Sequence, residues 1–147
     1  MLREVLSPDL VTTDLAGTDK RSVIESLIAI LVEHGGLADA ETALGDVLDH
    51  ENNTSTGMEH GIAIPHAKTD AVDSLVACIG VTRKKIDFDS LDRKPSQIFV
   101  MTLSPRGGTG PHVQFLAEVS RLLKDNKIRK RMLKAKSNEE LYSIFVS

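Results

Sequence analysis

Apolar positions recur every three to four residues over 19–33, where Val23, Leu27, Ile30 and Leu31 share one face of a predicted helix. Thr18 or Asp19 can cap its start, and Gly35-Gly36 stops it. The same spacing returns at Ala40, Leu44, Val47 and Leu48 and predicts a second helix, capped by Asp39, ending near His50 and leaving through Asn52-Asn53. A polar, glycine-containing stretch over 54–61 then gives way to a different pattern. Ile62-Ala63-Ile64 reads as a short apolar strand that Pro65 closes, so His66 follows a strand end.

Two near-continuous apolar runs, 75–82 and 97–103, are the pattern of strands covered by helices on both faces of a sheet. Ile86-Asp87-Phe88 between them predicts a short edge strand. The segment 105–111 is rich in glycine and reads as a loop, after which Val113, Leu116, Val119 and Leu123 return to helical spacing. Asn126 can cap a further, basic helix, and Ser137 with Glu140 makes a capping box for a last helix through Phe145. The interleaving predicts a three-layer α/β/α sandwich with four to five strands in a single domain over 1–147. The link from 82 to 97 is too short for a crossover helix, so the sheet is expected to be mixed.

Composition narrows the class. Of 147 residues, 41% are hydrophobic and 27% charged, the balance of one globular domain. The single cysteine, Cys78, lies inside the 75–82 run and reads as a buried thiol. Eighteen Lys and Arg against 21 Asp and Glu give a formal charge of -3, which offers no general field for a polyanion. The basic run over 124–136 contains no aromatic residue for base stacking, and Ile128, Met132 and Leu133 fit an apolar helix face, so no nucleic-acid partner is expected. No apolar run approaches the ~20 residues of a membrane span. No membrane insertion is predicted, and the expected location is the cytoplasm.

Five histidines occur, at 34, 50, 60, 66 and 112. His34 falls at a helix C-terminus, where the dipole favours an imidazolium. His66 is held at the mouth of the sheet by Pro65, which stiffens the backbone before it. His112 follows Gly107-Gly108-Thr109-Gly110-Pro111 and falls in the first turn of the next helix, where free N–H groups favour an anion and a neutral imidazole. The glycines match neither a Walker loop nor a dinucleotide fingerprint. A metal site from His50, His60 and His66 lacks any recognised ligand spacing, so neither metal nor cofactor is expected.

Ser55-Thr56-Gly57, Gly61-Ile62-Ala63-Ile64-Pro65-His66-Ala67-Lys68 and Pro111-His112-Val113-Gln114-Phe115-Leu116-Ala117 together resemble the enzyme IIA domain of the phosphoenolpyruvate-dependent sugar phosphotransferase system. The resemblance is to its fructose/mannitol type, which includes nitrogen-regulatory members, and it spans nearly the whole chain. It implies that His66 is phosphorylated by the histidine-containing phosphocarrier protein and that His112 helps hold the phosphoryl group. The phosphate would pass to a cysteine on a IIB domain or be read by a regulatory target protein. Where such domains commonly carry an arginine before the glutamate, this chain has His50 before Glu51. An imidazole does not reproduce that permanently charged fork. Lys68 or Arg106 is an alternative cation, the hydroxyls of Ser55 and Thr56 are candidate donors to phosphoryl oxygens or turn formers, and a non-catalytic regulatory binding module is the competing function.

Overall fold

The computed structural model describes residues 2–107 and 110–146. Six helices, α1 (Leu2–Val5), α2 (Lys20–His34), α3 (Ala40–Asn53), α4 (Gly110–Leu123), α5 (Asn126–Lys134) and α6 (Asn138–Val146), surround five strands. The strands are β1 (Val11–Thr12), β2 (Ile62–Ala63), β3 (His66–Lys68), β4 (Val76–Ile86) and β5 (Ser96–Ser104), and they form one mixed sheet. The sheet order is β1-β4-β5-β2, with β3 also paired to β5. Only β4 and β5 run antiparallel among these pairs, as their short connection requires. Nearly every residue of β5 and the first half of β4 is buried, so helices cover both faces of the sheet.

Helix α2 begins where Asp19 accepts from the Ser22 N–H and the Ser22 hydroxyl returns the bond, a reciprocal cap. Its buried face of Val23, Ile24, Leu27, Ile28 and Leu31 packs on the sheet beside β4. There the Cys78 thiol donates to the Leu27 carbonyl at 3.4 Å. Burial pushes that thiol well above the ordinary cysteine range, which makes it inert. Helix α3 packs against α2 and reaches β3, carrying its C-terminal turn to the sheet edge.

Several boundaries differ from the pattern. Ile86 is the end of a bulged β4, its register to β5 shifting between Val81 and Ile86, and Asp87 and Phe88 lie in no strand, so no separate edge strand forms there. The cap of α5 is Asp125, which accepts from the Lys127 N–H, rather than Asn126; the carboxylate reaches the free amides from one residue earlier. Ser137 accepts from the Glu140 N–H, but Glu140 turns its carboxylate to the Lys136 N–H, which leaves the capping box half made. Helix α3 runs on to Asn53, one turn past His50. Gly108 and Thr109 of the predicted loop lie outside the described residues.

Candidate active site

A proline builds the site. Strands β2 and β3 lie end to end along one edge of β5, with Ile62 opposite Ile98 and His66 opposite Thr102. Pro65 interrupts them because it has no N–H for the ladder, yet its carbonyl accepts from the Thr102 N–H at 3.1 Å. His66 is therefore the first residue of a strand, where the sequence pattern places it after a strand end. Across from it, the Thr102 hydroxyl lies 2.9 Å from His112 Nε2 in the first turn of α4. One buried threonine thus sets the register partner of His66 and anchors His112.

The His66 ring is fixed by Nδ1, which lies 2.7 Å from the carbonyl of Ile64, two residues earlier. A carbonyl only accepts, so Nδ1 carries the proton and Nε2 keeps its lone pair. The rings of His50 and His66 stand 4.5 Å apart between centroids, and those of His66 and His112 stand 5.7 Å apart. All three line one open cleft of about 460 Å³, with Asp46, Asp49, Ala67, Lys68 and Arg106. Burial, followed by the charge of His66, holds His50 below the ordinary histidine range. Burial, then His66 and Lys68, does the same for His112. Both are neutral near pH 7.

Ser55 and Thr56 do not line this cleft. The Ser55 hydroxyl donates to the Phe88 carbonyl at 2.8 Å, and the Thr56 hydroxyl donates to Glu51 Oε1 at 2.5 Å. Both hydroxyls are thus engaged within the protein. Glu51, whose side chain is only 3% exposed, also accepts from the Thr56 N–H and from Lys20 Nζ, each within 3 Å. This buried ion pair, which the sequence pattern does not announce, joins the starts of α2 and the 55–57 segment to the end of α3. Gly57 completes the segment, since a Cβ there would lie 2.6 Å from the Phe88 carbonyl oxygen and from Ser90 Oγ. His60 lines separate clefts beside Met58, Leu91 and Leu133, apart from His50 and His66. Among the described residues no group of three or more His, Cys, Asp or Glu is placed to hold a metal ion.

Two cationic side chains occupy the cleft that His50 leaves without a permanent charge. Lys68 projects from β3, and Arg106 from the loop after β5. The sequence reading passes over Asp46, which the i, i+4 spacing places on the same helix face as His50. Arg106 comes from a segment with no periodic signal.

A doubly covered mixed sheet that presents a fixed imidazole at its edge, beside two neutral imidazoles and two cations, has the makings of a phosphoryl-handling domain. The family profile of the phosphoenolpyruvate-dependent sugar phosphotransferase system, EIIA 2, matches residues 4–147, and the chain belongs to that family. The fructose-specific EIIA component of Haloferax volcanii is 34% identical over 136 residues, covering 92% of this chain and 88% of that protein. The nitrogen regulatory protein IIA-Ntr of Neisseria meningitidis has a similar structure, with a TM-score of 0.87, 26% identity and 97% of each chain covered. The mannitol enzyme IIA of Escherichia coli, solved in complex with phosphorylated mannitol enzyme IIB, shares the fold with a TM-score of 0.81 at 19% identity over 96% of each chain. Relatives of this chain thus include both a sugar-system EIIA component and a nitrogen regulatory protein.

Proposed function

We propose that this chain is a phosphoryl carrier whose His66 Nε2 accepts phosphate from the histidine-containing phosphocarrier protein. The observation that carries the reading is the 2.7 Å bond that commits Nδ1 of His66 to the Ile64 carbonyl and leaves Nε2 as the nucleophile. In the transfer the donor's N–P bond breaks as the Nε2–P bond forms. The donor ring, with a proton on its other nitrogen, leaves as neutral imidazole. His66 retains its Nδ1 proton and becomes the charged phosphorylated ring, supported by the Ile64 carbonyl. Alignment and donors to the equatorial oxygens supply most of the catalysis in such reactions.

His112 serves as one donor. With Thr102 donating its hydroxyl proton to Nε2, the neutral imidazole keeps its proton on Nδ1 for a phosphoryl oxygen. Lys68 and Arg106 supply the charge that the family arginine supplies elsewhere, and His50 contributes only as a neutral imidazole near pH 7. The onward acceptor is a IIB cysteine or a regulatory target that reads the phosphorylated state; the mannitol enzyme IIA complex supports the first and the nitrogen-regulatory neighbour the second. Both roles place the relay in the cytoplasm and depend on the same phosphohistidine.

Incubation with phosphoenolpyruvate, the upstream kinase and the phosphocarrier tests the reading. One acid-labile, alkali-stable phosphoryl group per chain is expected, absent from His66→Ala. Labelling of His66→Ala to the parent level would refute it.

A further inference from the structure

Carboxylates crowd a cleft read here as holding a phosphoryl dianion. Asp46 and Asp49 line it from α3, and Asp70 stands just beyond β3. Each repels phosphoryl oxygens at short range. Arg106 is the guanidinium among the residues lining the cleft, and two of these carboxylates already hold it. Its Nη2 lies 3.6 Å from Asp46 Oδ2 and its Nε 3.3 Å from Asp70 Oδ1. The first distance is too long for a hydrogen bond. Asp46 Oδ2 is shielded from solvent and has no hydrogen-bond partner among the described residues. The guanidinium is therefore detained by charge from two sides without being locked, and its side chain stays 57% exposed and able to turn.

We propose that Asp46 and Asp70 are positioning residues that compete with the phosphoryl group for Arg106, so that phosphate on His66 is held loosely enough to be passed on. The proposal rests on the phosphoryl-carrier reading of His66. Before transfer, the single charge of Arg106 is shared between the two carboxylates. When the phosphoryl group arrives, its two negative charges and three acceptor oxygens draw the guanidinium fork away. Asp46 and Asp70 are then left unpaired beside the dianion, and this raises the free energy of the phosphorylated protein. Onward transfer returns Arg106 to them. Position 50 gives the competition its weight: a permanently charged arginine there would hold the phosphate regardless, whereas neutral His50 leaves Arg106 as the forked cation at stake.

The test measures, by ³¹P spectroscopy, how phosphate distributes at equilibrium between the phosphocarrier and this protein. Asp46→Asn and Asp70→Asn are each expected to shift the balance toward the phosphorylated protein by about two- to fivefold, the scale of a partly exposed ion pair. In an Arg106→Ala background each gain should fall by at least half, because only direct repulsion remains to be relieved. Asp49→Asn is the control, since Asp49 lines the cleft without an ion pair to Arg106 among the described residues; its effect should be equal in both backgrounds. Equal gains for Asp46→Asn and Asp70→Asn with and without Arg106, or no gain at all, would overturn the proposal while leaving the carrier reading intact. Should Asp46→Asn fail to fold, exposed Asp70→Asn carries the same comparison. A parent protein that takes no phosphate on His66 would instead refute the carrier reading, and this proposal with it.

Discussion

His50 occupies the last turn of α3 with its ring beside that of His66, and it is neutral near pH 7. A guanidinium at this place would add a charge independent of pH. His50→Arg is therefore expected to speed phosphorylation relative to the parent at pH 8, with the ratio shrinking toward pH 5.5 as the parent imidazole gains its own proton. A ratio of one at both values would show that Lys68 and Arg106 already saturate the need for charge. Thr102 offers a second test. Thr102→Val removes the hydroxyl held by His112 and leaves a buried ring nitrogen unpaired, which should lower stability by about 1–3 kcal/mol in urea unfolding and slow transfer from the phosphocarrier. Unchanged transfer in a folded variant would reduce His112 to a helix-start residue.

At the scale of elements, the junction of α3, the 55–57 segment and β2 is what delivers His66 to its place. The helices and long strands were legible because their faces repeat at fixed periods, and His66 and His112 stood out through Pro65 and the glycines before α4. The roles of Ser55 and Thr56 were not legible, since a hydroxyl in a polar segment has the same sequence signature whether it faces phosphate or a buried carboxylate. The pairing of Lys20 with Glu51 bridges α2 and α3 and leaves no local pattern. Glu51→Ala should leave the Thr56 N–H and hydroxyl without their acceptor and Lys20 with the exposed Asp89 carboxylate alone, at 3.1 Å, lowering unfolding stability by about 1–3 kcal/mol. A loss below about 1 kcal/mol would mean that the junction is held by packing alone.

For the whole molecule, the neutral histidines tie stability to pH. Both His50 and His112 have values held below the unfolded range, so protons bind the unfolded chain more readily in that window. Stability from this source is complete above pH of about 6.5 and is lost as pH falls through the folded values. The melting temperature should drop between pH 7.5 and 5.5, and His50→Gln/His112→Gln should flatten that drop; an equal drop in the variant would place the pH sensitivity elsewhere. The same neutral surroundings frame the central claim, that the protein takes phosphate on one particular nitrogen. Phosphorus–nitrogen couplings in the ¹⁵N-labelled, phosphorylated protein measure this directly. A coupling to Nε2 of His66, with Nδ1 still carrying its proton, is the predicted result; phosphate on Nδ1 of His66, or on His50 or His112, would contradict it.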